Sequence, residues 1–214
     1  TPYLEPTDKR EEQLKRLRLL GRAHHGRKSL DGLTSVDADL SELLKVALQE
    51  AEKAETEARD KAAKEEKNEK DTEKIVKEAT KKPKEWIKKV EKAQKAVSCF
   101  VALLENKLEE AKSHLGAVED DKYNLAKLHL RAGDEEKALS MSEEAVKSGE
   151  KRVLPLLARI EILHAAGKDE ETRDAFKLLQ PISAYLDPKA PPVARVMEIA
   201  RELDLGEWQA KPTP

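Results

Sequence analysis

Leu40, Leu44, Ala47, Ala51, Ala54 and Ala58 are spaced 4, 3, 4, 3 and 4 residues apart. That alternation is a heptad seam, which sets apolar side chains along one edge of a helix. The distal positions are all alanine. Alanine permits close helix approach but buries little area per residue, so the seam needs a partner helix. A helix is therefore expected to start near Ser35 or Asp37. From Glu52 to Lys82 the chain is almost entirely charged. Acid-before-base pairs four apart run through it: Glu57–Lys61, Asp60–Lys64, Glu66–Lys70, Glu73–Lys77 and Glu78–Lys82. Each such pair adds about 0.2–0.5 kcal/mol to a helix, and this register favours helix over charge-rich disorder. A continuous helix from Asp37 to Lys82 would be on the order of 70 Å long. Pro83 is expected to end it or to sit in the first turn of the next helix.

The next helix is expected over 84–104. Trp86, Val90, Ala93, Val97, Phe100 and Leu104 recur every three or four residues, and Ile87, Ala96 and Leu103 widen the stripe. This pattern marks a buried face. The two helices would pair as an antiparallel hairpin with its tip near Thr80 to Lys84. Ahead of them, residues 7–28 read as a first helix. Thr7 is its expected N-cap, Asp8, Glu11 and Glu12 lie in the first turns, and Leu14, Leu17, Leu20 and His24 share one face. Lys28 to Ser35 is expected to be a connection. Beyond Leu104 the pattern changes to short helices at 107–117, 120–132, 135–148, 151–166, 169–180 and 192–204. Gly116, Gly133, Gly149 and Gly167 fall at the breaks, as C-cap glycines do. Pro181, then Pro188, Pro191 and Pro192, are expected to break the helix and mark a longer loop.

Composition narrows the function. Charged residues make up 39% and aromatics 3%, and 41 Lys and Arg against 43 Asp and Glu leave a net charge of -2. That balance argues against a polyanion-binding protein taken as a whole. A single cysteine, Cys99, excludes an internal disulfide framework and a multi-Cys metal cluster. No apolar run reaches the roughly 20 residues of a membrane span. The expected class is soluble and all-helical.

Gly133 and Gly167 are 34 residues apart. Leu125 to Leu139 and Ala158 to Thr172 both read as helix, Ala-Gly turn, acidic first turn, helix. This period and content resemble the tetratricopeptide repeat. In the first unit Leu125 and Ala126 stand at the family's Leu-Gly pair, and His129 stands at its Tyr position. Ala138 and Ala145 occupy the small positions of the second helix, and Ser142 replaces the usual aromatic. In the second unit Gly167 and Phe176 match. Ile160, however, stands where a small residue is wanted, and Thr172 stands where Ala138 stood. Asn106 to Ala111 resembles the start of a second repeat helix in a shortened unit. Leu17 to His24 fits the Leu-x-x-Leu-Gly-x-x-Tyr pattern of a first helix. The resemblance is strongest over about 120–180 and looser over 84–120, 181–205 and 7–50. It implies helical hairpins stacked into a right-handed solenoid, with a concave groove of first helices as the partner site. The groove candidates are Lys122, Asn124, Lys127, Leu128 and Arg131 in one unit and Arg159 in the next. A Lys/Asn carboxylate clamp is not expected, because only Asn124 sits suitably.

No catalytic pattern accompanies this. The histidines His24, His25, His114, His129 and His164 show no metal spacing. Cys99, beside Phe100, reads as a buried, inert thiol. The carboxylates read as solvated helix faces, and there is no Gly-rich phosphate loop or Gly-x-Ser-x-Gly motif. Lys15, Arg16, Arg18, Arg22, Arg27 and Lys28 form an acid-free basic run. Arg18, Arg22 and Arg27 are thus candidate anion contacts, to nucleic acid or an anionic surface. The plainer expectation is the polar face of an amphipathic helix paired with the acidic helix at 37–50.

The expected fold is all-α: a short tetratricopeptide-like α-solenoid of antiparallel helix pairs with a long charged, coiled-coil-like hairpin. Its expected parts are an N-terminal helix and connection (1–36), a charged arm (37–83), the repeats (84–205) and a linker (206–214). The chain begins with Thr1 and ends Ala210-Lys-Pro-Thr-Pro214, which reads as a piece of a longer protein. The expected function is a non-catalytic protein–protein interaction or scaffold module without cofactor or metal. Its partner would be a protein, a peptide or another domain of the same chain, rather than a small-molecule substrate or nucleic acid. The alternative is a helical accessory region of a multidomain enzyme, because the ending resembles bacterial proteins in which such repeats precede a thioredoxin-like (redoxin) domain.

Overall fold

The computed structural model describes residues 7–148 and 153–206. Residues 207–214 of the expected linker, Gly149 and the first two residues of the helix expected at 151 lie outside them. The described residues are all-helical, without strands. They form two units, one ending at Val118 and one beginning at Glu119.

The first unit holds α1 (Thr7–Gly26), α2 (Leu30–Lys64), α3 (Glu69–Leu104) and α4 (Leu108–His114), followed by a 3-10 turn, Leu115–Ala117. Thr7, the first described residue, is itself helical. Ser29, not Ser35 or Asp37, starts α2, because its hydroxyl accepts the Gly32 N–H at 3.1 Å. The expected 37–82 helix is in fact parts of two helices. Glu66 adopts φ 48, and the Asn68 side chain caps α3 by accepting the Asp71 N–H at 3.0 Å. The hairpin tip is therefore at Glu65 to Asn68, and Pro83 lies inside α3. Proline there removes the donation to the Ala79 carbonyl and crowds that oxygen, yet α3 runs through it, held by the buried residues on either side. The turn also separates Glu66 from Lys70. The ion pairs seen on α2 join other residues: Glu55–Arg59 at 2.8 Å keeps the acid-before-base spacing of four, Lys53–Glu57 at 3.8 Å reverses it, and Glu42–Lys45 at 3.8 Å is three apart.

Inside this unit, Leu33, Val36, Leu40, Ala47, Ala58 and Ala62 of α2 and Val90, Ala93, Val97 and Phe100 of α3 are buried. The heptad seam thus faces its partner within one chain. Thr80 is also buried, and its hydroxyl donates to the Val76 carbonyl at 2.9 Å, which removes the penalty of an unpaired polar group. The first helix, α1, packs on both arms through Leu14 and Leu17. Arg10 makes a bidentate pair with Glu50, both bonds 2.6 Å, and His25 stacks on Phe100 with ring centroids 4.7 Å apart. Cys99 is buried, and its Sγ contacts the Ala111 carbonyl of α4 at 3.5 Å.

The second unit holds α5 (Lys122–Arg131), α6 (Glu135–Ser148), α7 (Val153–Ala165), α8 (Asp169–Ser183) and α9 (Pro191–Glu202). Helices α5 and α6 pair, as do α7 and α8, while α7 also contacts α5, α6 and α9. Gly133 and Gly167 adopt φ 73 and 67 after the first helix of each pair. The six-residue closures Asp134 N→His129 O and Lys168 N→Leu163 O are both 2.9 Å, as a glycine C-cap requires. Gly116 instead lies within the 3-10 turn. Pro181 does not stop α8, which runs on to Ser183, whereas Pro191 and Pro192 open α9. Leu157, Ile160, Phe176, Leu179, Val196 and Ile199 anchor the main core, and Ala126, Ala138 and Ile162 form a second cluster. Ile160 is fully buried in the core between α7, α8 and α9.

Candidate interaction surfaces

The expected groove residues of the second unit divide by what they touch. Lys122 turns toward α6 and pairs with Glu144 at 2.8 Å. This hydrogen bond and charge hold the Glu144 carboxyl below its ordinary pKa. The Asn124 amide donates to Asp120 at 3.0 Å, and Leu128 is buried. Arg131 is exposed at the end of α5. Arg159 is half-buried and bridges to α6, its Nη1 donating to the Leu139 carbonyl and to Ser142 Oγ, each at 2.8 Å. Burial lowers its pKa from the ordinary guanidinium value, opposed by the charges of Glu143 and Glu171. Leu128 and Arg159 therefore serve the interior. Ser142, the residue in place of an aromatic, leaves room for the guanidinium.

Lys127 behaves differently. Its ammonium reaches across to α7 and pairs with Glu161 at 2.7 Å. On α9, Arg195 hydrogen-bonds Glu198 at 2.9 Å and lies 3.5 Å from Glu202. The Glu198 hydrogen bond chiefly raises the Arg195 pKa, and the charge of Glu161 adds to the shift. His164 of α7 meets Glu202 at 2.8 Å. A line of alternating charge thus crosses α5, α7 and α9. Lys127, Glu161 and Arg195 are 34 residues apart in succession, the same step that separates Gly133 from Gly167. Leu128, Ile162 and Val196, one residue on, repeat the step in the interior and are all buried. Glu161, His164, Arg195 and Glu202 were not among the sequence candidates. Advancing Lys127 by the repeat period finds the first and third of them.

Two other surfaces lie in the first unit. Near the hairpin tip a cleft of about 840 Å³ opens between Ala54 and Ala58 of α2 and Ile75 and Ala79 of α3. It follows from the seam, because alanine and charged side chains cannot fill the space between the arms. The candidate anion contacts sit on and after α1. The Arg18 guanidinium donates to the Lys89 carbonyl of α3 at 3.3 Å, Arg22 is half-buried with an interaction of its own, and Arg27 is exposed in the following turn. The basic helix meets the acidic one through Arg10 and Glu50.

Among the described residues no group of three or more His, Cys, Asp or Glu is placed to hold a metal ion. No described helix is long and apolar enough to cross a membrane. His129 pairs through Nδ1 with Asp134 at 2.9 Å, bracing the turn between α5 and α6. No protein-family model, curated protein or solved structure matches the chain.

Proposed function

We propose that the chain is a non-catalytic interaction module whose second unit works as a short tetratricopeptide-like stack, with α5, α7 and α9 as the first helices of successive units. The recurrence of Lys127, Glu161 and Arg195 at 34-residue steps on one charged line carries this reading. The glycine turns after α5 and α7 support it. The face alternates in sign and lacks exposed aromatic anchors, so the partner it suits is a charged peptide segment. The pairs on this face are partly exposed. Such pairs contribute only about 0–1 kcal/mol each, so a partner can exchange them at small cost. Affinity is then modest and salt-dependent.

The test is charge reversal on two faces. A protein retained by the full chain loses binding at least tenfold on Lys127→Glu with Arg195→Glu. It keeps binding on Lys147→Glu with Lys177→Glu, which change the outer helices α6 and α8. Equal loss from both pairs removes the reading.

A further inference from the structure

The near-neutral net charge conceals a segregation along the hairpin. Helix α2 carries nine carboxylates against five cations, whereas α3 carries six against ten. The excess on α3 is ordered. With about 100° between successive residues, Lys70, Lys74, Lys77 and Lys81 share one arc of about 80° with Lys84, Lys88, Lys92 and Lys95. From Glu69 to Ser98 every residue in that arc is lysine, and all eight are exposed. The arc lies opposite the buried positions Val90, Ala93 and Val97. Glu73 and Glu91 fall at one margin, and Glu78 and Glu85 fall beyond the other. The ridge is about 38 Å long, with a charge about every 5 Å. The next position in the arc is Cys99, buried against α4, so the ridge ends where α4 begins. Helix α1 meets α3 beyond the margin of the arc, where Arg18 donates to the Lys89 carbonyl and Glu11 pairs with the Lys89 ammonium.

The geometry points to an anionic lipid surface as the partner of this ridge. Three features select it. A straight ridge laid along a nucleic-acid duplex crosses each strand about once per 34 Å turn, so most of the lysines would face grooves rather than phosphates. A flat anionic surface meets all of them together. The arc contains no arginine, the side chain suited to bidentate phosphate recognition and to protein interfaces. It also contains no apolar or aromatic residue, so it offers neither a protein hot spot nor a membrane-inserting wedge. Binding is therefore peripheral and electrostatic, and the acid-rich α2 orients the hairpin with α3 toward the lipid. Clusters of four to eight basic residues on one helix are enough for such attraction. This inference concerns the first unit and does not depend on the role proposed for the second.

The experiment is flotation of the full chain with vesicles of phosphatidylcholine containing phosphatidylserine or of phosphatidylcholine alone. Expected is binding to the anionic vesicles only, lost as salt rises. Lys74→Gln, Lys81→Gln, Lys88→Gln and Lys95→Gln together should weaken it about a hundredfold or more. The same four changed to Arg should keep it, as should four glutamines at Lys45, Lys53, Lys82 and Lys147, which match the charge lost. Helix content by circular dichroism verifies that each variant is folded. No binding to anionic vesicles at low salt overturns the proposal. So does equal loss from the ridge and control sets, or a duplex DNA that binds more tightly than vesicles at equal phosphate.

Discussion

Gly32 sits in the first turn of α2 with the His24 ring directly over it. A methyl group built on Gly32 would lie 2.0 Å from His24 Nδ1, 2.4 Å from Cγ and 2.5 Å from Cε1. All three are far inside contact distance, and two are ring atoms close to the backbone of α1. Gly32→Ala therefore has two opposed effects. Replacing glycine by alanine in an open helix gains about 1 kcal/mol. Here the half-buried imidazole must leave its place between α1 and α2, and overpacking of this kind costs about 1–3 kcal/mol. The difference is a net loss of about 0–2 kcal/mol from the first unit. The sign should reverse in a His24→Ala background, where the ring is gone and about 0.5–1 kcal/mol of helix propensity is recovered. The coupling between the two changes is then about 2 kcal/mol. Urea unfolding followed by Trp86 fluorescence reads it, in a Trp208→Phe background so that the signal reports α3. If Gly32→Ala stabilises the wild-type chain as much as it stabilises His24→Ala, the packing argument fails.

Arg159→Ala removes the donor shared by the Leu139 carbonyl and Ser142. It should cost the second unit about 1–3 kcal/mol in chemical denaturation, and Arg159→Lys should recover only part, since a single ammonium does not reproduce the planar guanidinium. Pro83→Ala restores an N–H for the Ala79 carbonyl inside α3. The gain of up to about 3 kcal/mol, less about 0.4–1 kcal/mol of unfolded-state entropy, should raise the unfolding midpoint of the first unit, and an unchanged or lower midpoint contradicts it. The Glu144 carboxyl, held down by Lys122, should titrate below the ordinary glutamate range by NMR and return toward it in Lys122→Gln. Because the folded value is depressed, what this pair contributes is present above the unfolded pKa and fades as pH falls through the folded one.

Helical periodicity made the interior of the first unit legible. The seam from Leu40 to Ala58 and the stripe from Val90 to Phe100 are three-and-four patterns that survive whatever the connection does. The hairpin tip was obscured because Asn68, a good cap, is set in a uniformly charged stretch, while Pro83 is the louder helix-ending signal. Burial of α3 from Thr80 onward, on either side of Pro83, holds it as one helix through the proline. Ser29 and Ser35 are both plausible caps, and only the turn after α1 selects the first. In the second unit the glycine period was readable, and Lys127 implies Glu161 and Arg195 by the same step. The inward turn of Arg159 was not, since it depends on the space left beside Ser142. The lysine ridge spans Pro83, with Lys81 and Lys84 on either side. It is therefore visible only once α3 is one continuous helix, and reading charges as pairs four apart hides it.

The central claim is that α5, α7 and α9 offer the interaction face of the second unit. Site-specific photocrosslinking of the full chain in its own cells tests this most directly, with the crosslinker placed at Arg131 and Glu198 on the first helices and at Lys147 and Lys177 on the second. The expected result is one protein partner joined through positions 131 and 198 and not through 147 or 177. A partner joined through 147 or 177 instead, or equally from all four positions, would contradict it.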